Sequence, residues 1–216
     1  MRIAIVGSGN VGRALATSFT RAGHQVVLAS RDPQHAADAA DASGARAVAS
    51  VRNAAEESDL VVLAIPFASA TDVAERIRTV VAGKPVIDVT NRTSFGPNGV
   101  EIDTSTANAE ELSSMLPDAH VVKAFNTLFA SSQSDPILDG VKLDGFVAGD
   151  DDAAKSTVIE LVESIGLEPL DVGPLVRARQ LEGLAFLNIA LQVAHNGAWR
   201  SGWKLVGAPA TIPSAV

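Results

Sequence analysis

The sequence predicts an α/β protein: a doubly wound, mostly parallel sheet with a short C-terminal helical segment. Three observations carry this. Short apolar runs alternate with amphipathic stretches as far as residue 172, the pattern of a parallel sheet covered by helices. A glycine-rich turn, Gly7-Ser8-Gly9-Asn10-Val11-Gly12, joins the first apolar run to the first amphipathic one. The run Leu60-Val61-Val62-Leu63-Ala64-Ile65 is apolar at every position, as a central strand buried on both faces must be.

In chain order, residues 2–6 read as the first strand and 10–22 as the helix after it. The second strand is 25–30. The helix 33–42 follows, with Asp32 placed to cap it and Pro33 at its first position. A short third strand covers 46–50, the central strand 59–66, a helix 69–81 ending near Gly83, and a strand 85–91. The stretch 93–99 holds Gly-Pro-Asn-Gly and reads as a loop. Residues 107–116 are a helix, 120–126 a strand, and 127–139 polar and irregular. The strand 143–149 leads through Asp150-Asp151-Asp152 into a helix running to about residue 165, and 168–172 is the last strand. Pro174 then opens a long helix through residue 205, interrupted by glycines at 183, 197 and 202.

Composition narrows the function classes. A hydrophobic fraction of 47% with 19% charged residues suits a globular chain. The net charge of −8 argues against nucleic acid or an anionic membrane surface as partner. No cysteine is present, which removes disulfides, thiol catalysis and cysteine-held metals together. His24, His35, His120 and His195 lack ligand spacing, so no metal site is expected. No apolar run approaches the roughly 18 residues of a membrane span, and the N-terminus has no leader pattern. A cytoplasmic location is expected.

The turn at 7–12 matches G-x-G-x-x-G, and its setting gives it weight. It follows a strand, opens a helix, and lies in a βαβ unit whose second strand ends about 20 residues later. That is a Rossmann-type dinucleotide site: the first glycine makes the tight turn, the second lets backbone approach the pyrophosphate, and the third lets helix and strand pack closely. The helix N-terminus offers free N–H groups and a positive dipole end. An NAD site usually has an acid at the end of the second strand, yet this strand ends Ala29-Ser30-Arg31. Ser30 can donate a hydrogen bond, and the Arg31 guanidinium can pair with a 2′-phosphate, so NADP is expected. His35, one turn on, is a possible third contact or a solvent-facing side chain. Residues 1–174 are therefore read as the NADP-binding domain and 175–216 as a helical segment.

Nicotinamide belongs beyond the carboxyl ends of the strands, where strand order reverses. The strand ends on offer are Ile65-Pro66-Phe67, Thr90-Asn91 and Lys123-Ala124-Phe125-Asn126. Asn91 and Asn126 can hold a carboxamide or an acceptor carbonyl, and either can equally be a turn residue. No nucleophile–base set or paired-carboxylate pattern is visible, and hydride transfer between cofactors requires none. His195 is a candidate for reaching the site from the last helix, as well as a candidate surface residue. That helix carries apolar residues on two neighbouring faces, Leu184, Leu187, Leu191, Ala194 and Ala198 beside Phe186, Ile189, Ala190 and Val193. One sheet can cover only one of them, so a homodimer is expected, with this helix at the interface and over the active site.

These residues carry a resemblance. Gly-Ser-Gly-Asn-Val-Gly at 7–12, Ala-Gly-His-Gln-Val-Val at 22–27, Ser30-Arg31, Ala64-Ile65-Pro66-Phe67, Gly149-Asp-Asp-Asp152, Pro169-Leu-Asp-Val-Gly-Pro-Leu175 and His195-Asn196-Gly197 occur in order along nearly the whole chain. In them the chain resembles the NADPH-dependent reductases of the deazaflavin coenzyme F420. The resemblance implies a homodimer in which nicotinamide and deazaflavin stack and exchange a hydride, with Ser8 to Val11, Ser30, Arg31, Ile65 and Ala130 contacting NADP. It departs at Asn126, where well-known members have a histidine beside the deazaflavin. The version here, Lys-Ala-Phe-Asn-Thr, is similar to the oxidoreductase domains of membrane metalloreductases, which reduce a flavin, so FMN or FAD is the alternative acceptor. A small-substrate dehydrogenase would need a further helical domain, for which some forty residues after the last strand are too few. A non-catalytic NADP-sensing dimer is the remaining alternative.

Overall fold

The computed structural model describes residues 1–96, 99–102 and 105–207. Its main sheet runs through β1 (Arg2–Val6), β2 (Gln25–Ala29), β3 (Arg46–Ala47), β4 (Leu60–Leu63), β5 (Pro85–Asp88), β8 (His120–Ala124), β11 (Asp144–Gly149) and β12 (Glu168–Asp171). The spatial order is β12-β11-β8-β5-β4-β1-β2-β3. Every neighbouring pair is parallel except β8 and β11. The order therefore reverses between β1 and β4, and a crevice opens beyond their carboxyl ends.

Both faces of the sheet are buried, which is why its strands read as continuous apolar runs. Ile3, Ile5, Leu28, Val62, Ile87 and Val122 face one core, packed against α1 (Asn10–Arg21), α2 (Pro33–Ser43) and α7 (Asp152–Ser164). Ala4, Val6, Val61, Leu63, Val86 and Val121 face the other, under α3 (Val51–Glu57), α4 (Ala70–Ile77) and α5 (Asn108–Met115). Caps fall where local chemistry puts them. Asp32 accepts from the amides of Gln34 and His35, and Asp151 from that of Ala154. Among the described residues, no helix is long and apolar enough to cross a membrane.

Several elements differ from the sequence reading. The stretch 93–99 is not a plain loop: β6 (Thr93–Gly96) and β7 (Gly99–Ile102) pair as an antiparallel hairpin, Gly96 opposite Gly99. Residues 97 and 98 lie outside the described residues. Four-residue strands are too short to show a period of two. The helix α3, capped by Ser50, was missed for the same reason. Between 127 and 139 there is a short helix, α6 (Ala130–Ser134), and then β9 (Ile137–Leu138), which pairs with β10 (Val141–Lys142).

The last helix, α8 (Ala178–Ala194), stops eleven residues short of 205. Gly197 N donates to Gln192 O and His195 N to Leu191 O, closing the C-terminus, and Asn196 and Trp199 have φ of 48° and 54°. Asn196, left-handed just after the C-cap His195, thus marks the helix end. The buried face of α8 is Ala178, Leu181, Glu182, Ala185 and Asn188, neither of the two faces expected. Leu187, Leu191 and Val193 remain exposed at 46%, 45% and 57%.

Candidate active site

The glycine turn sits at the switch point, and each of its three glycines has a distinct reason. Gly7 has φ of 117°, and an added Cβ there would land on the carbonyl oxygen of Ala64, at the end of the neighbouring strand β4. A Cβ on Gly12 would strike the carbonyl of Gly7, so this glycine lets α1 lie against the turn. A Cβ on Gly9 would meet nothing within 4 Å. Gly9 caps α1 without any side-chain hydrogen bond, and the first-turn amides are left for a ligand.

Two cavities flank this helix start. The larger, about 1030 Å³, is lined by Gly7, Ser8, Gly9, Ser30, Arg31, His35, Ile65 and Pro66. The smaller, about 490 Å³, is lined by Asn10, Val11, Asn91, Asn126, Phe129, Ala130, Asn188 and Trp199. Of the residues singled out in the sequence for the site, Gly12 and His195 line neither, Gly12 because it lies beneath the turn and His195 because it stands at the exposed end of α8. Arg52 and Arg76 also line the larger cavity. Arg52 was overlooked together with its helix; its Nη1 donates to Thr79 Oγ1 at 2.8 Å, whereas Arg76 is paired with Asp72.

Asp32 also lines the larger cavity, beside Arg31. Its Oδ1 accepts from Gln34 N at 2.9 Å and His35 N at 3.3 Å, and these amides, that of His35 foremost, hold its carboxyl below the usual range. It is turned to the helix. Ser30 Oγ donates to the Asp32 carbonyl at 2.6 Å, so a phosphate contact needs that hydroxyl to rotate. Arg31 is exposed and makes no hydrogen bond or ion pair with the described residues.

Beneath the smaller cavity lies a charged cluster that the sequence reading did not find. Lys123 is fully buried, and its Nζ donates to Asp88 Oδ2 at 2.8 Å, Glu182 Oε1 at 2.8 Å and Thr90 O at 2.5 Å. All three ammonium hydrogens are used. Glu182 also accepts from the backbone amides of Asn108 and Arg92 at 2.9 and 3.1 Å, and burial pushes its carboxyl upward. The cluster joins β5, β8, α5 and α8. A lysine inside the apolar strand Val121-Val122-Lys123-Ala124 was the available signal, since a buried lysine demands acidic partners.

Next along the chain, Phe125 has φ of 61°, a left-handed conformation that a bulky residue adopts only when its surroundings enforce it. Its carbonyl takes Gln133 Nε2 at 3.0 Å, and its ring packs on Phe19 at 5.7 Å. The kink brings Asn126 to the cavity floor. Asn126 Nδ2 donates to Asn91 Oδ1 at 2.9 Å and Leu181 O at 3.0 Å, while Asn91 Nδ2 donates to Asn126 O at 3.2 Å. Asn126 Oδ1 is buried without a partner. An unmet amide oxygen costs about 1–3 kcal/mol, which an N–H donor from a cofactor carboxamide would recover. The open space at Gly9 and this orphaned oxygen both fit a nicotinamide dinucleotide.

The comparisons agree with this geometry. The family described as NADP oxidoreductase, coenzyme F420-dependent, matches residues 2–92. The F420-dependent NADP reductase of Methanothermobacter thermautotrophicus is 30% identical to this chain over 97% of its length and 96% of the reductase. The chain belongs to this family. A crystal structure from Arthrobacter sp. FB24, assigned to the F420-dependent NADP-reductases, superposes with a TM-score of 0.82 at 29% identity, covering 94% of this chain and 98% of that one. The metalloreductase STEAP3 of Rattus norvegicus is 31% identical over 85% of this chain, but the chain spans only 36% of that protein's length.

Proposed function

We propose that this family member moves a hydride between NADPH, whose adenosine half lies in the larger cavity and whose nicotinamide reaches the smaller one, and a deazaflavin coenzyme of the F420 type that enters the smaller cavity. The observation that carries the reading is that the two cavities meet at one helix start: Gly9 lines the first, while Asn10 and Val11 line the second. A dinucleotide whose pyrophosphate sits on the α1 amides has its adenosine half directed to Ser30 and Arg31 and its other half to Asn91 and Asn126. Bound NADPH supplies the hydride. The chain's part is to hold and to dry the site. Asn91 and Asn126, tied to each other, orient a carboxamide, and Val11, Phe129, Ile189 and Trp199 exclude water. The residues lining the smaller cavity include no carboxylate, lysine or histidine, which suits chemistry driven by positioning.

Near full-length similarity to F420-dependent NADP reductases supports the deazaflavin. A flavin acceptor is the second reading, favoured by Asn126 and by the match to a metalloreductase. NADPH oxidation with coenzyme F420, FMN and FAD offered in turn separates them. Turnover with F420 and none with FMN or FAD is the expected result; turnover with flavin alone overturns it.

In this reading residues 1–174 are the NADP-binding domain and 175–216 the segment that roofs the acceptor. The exposed Leu187 and Leu191, one turn apart on α8, are the surface on which a second copy packs, giving a homodimer. Light scattering that shows a monomer at micromolar concentration removes that part of the reading.

Arg31→Ala tests the 2′-phosphate assignment. Loss of a charge-assisted contact of about 1.5–3 kcal/mol is expected to raise the NADPH Kd by roughly 10- to 100-fold. NADH affinity is expected to change less than about twofold. Equal losses for the two nucleotides would sink the assignment.

A further inference from the structure

The smaller cavity is also lined by Asn188, a polar side chain tied through a short chain of hydrogen bonds to the Trp199 backbone. The N–H of Trp199 donates to Gln192 Oε1 at 2.8 Å. A backbone amide can only donate, so the Gln192 side chain must present its oxygen here and its NH2 on the other side. Gln192 Nε2 then donates to Ser201 Oγ at 3.0 Å, and Ser201 Oγ donates to Asn188 Oδ1 at 2.5 Å. Turning the Gln192 amide over would place two donors face to face at the Trp199 N–H, and the Ser201 hydroxyl, which accepts from Gln192, spends its own hydrogen on Asn188 Oδ1.

The chain of bonds is built into the end of α8. Gly197 is needed for it, because a Cβ at that position would overlap Gln192 Oε1. The left-handed residues Asn196 and Trp199 turn the segment back so that Ser201 faces Asn188. Asn188 is 5% exposed and lines the smaller cavity, and its Nδ2 makes no hydrogen bond to any described residue. With Oδ1 bonded to Ser201, this carboxamide has its Nδ2 donor left for the cavity.

We infer that Asn188 is a specificity-determining residue whose Nδ2, held in direction by Trp199, Gln192 and Ser201, donates to a carbonyl oxygen of the planar redox ring that receives the hydride. The inference rests on the smaller cavity being the acceptor site. Asn188 touches the ring; Ser201 and Gln192 are positioning residues that act through it. Phe129 and Trp199, edge to face at 5.3 Å, stand beside this donor and give the ring an apolar border. A ring or chain without a carbonyl on that edge would leave the Asn188 donor unpaired and be rejected accordingly.

The test is a binding titration, independent of turnover. Oxidised coenzyme F420, and FMN in parallel, is titrated into protein saturated with NADP⁺ and followed by fluorescence, and NADPH affinity is measured separately. Asn188→Asp keeps the shape and the Oδ1 acceptor but removes the donor. It is expected to weaken binding of whichever ring the unaltered protein binds by about tenfold or more, the equivalent of one lost hydrogen bond, with the NADPH Kd within about twofold. Asn188→Leu should do the same, which excludes charge repulsion as the cause. Ser201→Ala, which frees the amide to turn over, is expected to weaken ring binding about threefold. Ser201→Thr keeps the hydroxyl and should restore it, which a purely structural role for Ser201 would not require. Unchanged ring affinity in both Asn188 variants overturns the inference while the acceptor site stands. A tenfold loss for NADPH instead of the ring also overturns it, by placing Asn188 against nicotinamide. If the unaltered protein binds neither ring, the acceptor-site reading fails and the inference with it.

Discussion

Lys123→Met is expected to destabilise the protein by about 3–5 kcal/mol, because it leaves two carboxylates buried with no cation between them. Asp88 and Glu182 both bond to the Lys123 ammonium, and neither side chain is more than 2% exposed. The loss should depend on pH. Burial already raises the Glu182 carboxyl above its ordinary value, and a folded-state pKa that is raised lowers stability as pH rises above the unfolded value. Removing the lysine enlarges that rise, so the variant should recover stability as the pH is lowered from 8 toward 5. Adding Glu182→Gln, which removes one carboxylate charge, should return part of the loss even at high pH. Urea unfolding of the three proteins at two pH values measures this. A loss below about 1 kcal/mol, or one independent of pH, would show that the cluster does not carry the charge balance inferred from its geometry.

Gly9→Val is expected to abolish measurable NADPH binding with little effect on stability. Gly9 caps α1 in extended backbone, φ −72° and ψ −172°, open to any residue, and a Cβ there has no neighbour within 4 Å. The added side chain therefore enters the space where backbone must meet pyrophosphate. Gly7→Ala and Gly12→Ala should behave in the opposite way. At both positions the new methyl collides with a carbonyl of the turn or of β4, so the fold itself is lost or severely weakened. Thermal melts with and without NADPH separate the two outcomes. A Gly9→Val protein that still gains stability from NADPH would place the dinucleotide elsewhere.

The site residues were legible to different depths. Gly7, Gly9 and Gly12 could be read because their spacing encodes a turn whose geometry is local. Asp32 and Pro33 announced a capped helix for the same reason, and the structure places the Asp32 carboxylate on the amides expected of it. Asn91 and Asn126 were found only as residues at the ends of strands. Their mutual hydrogen bonds span 35 positions, and no pattern within either segment points to the other. The end of α8 was misread because a glycine is a helix stop or a tolerated interruption depending on what surrounds it. Here the left-handed Asn196, with the amides of Asn196 and Gly197 turned back onto the carbonyls of Val193 and Gln192, decided the matter.

What the sequence determined by itself is the βαβ unit with its phosphate turn, the parallel layering of the sheet, and the absence of an acid at the ribose position. Each follows from residues within one turn of helix or one strand of each other, where steric rules and hydrophobic period act directly. The tertiary structure alone decided that Lys123 would be buried between β5 and α8, which face of α8 would be buried, and that Asn188 and Asn126 would line one cavity. These depend on contacts between distant segments, and on amide groups whose direction is fixed by backbone donors and acceptors brought from elsewhere in the chain. Such polarity has no periodic trace in the sequence, because it arises only when the segments are packed.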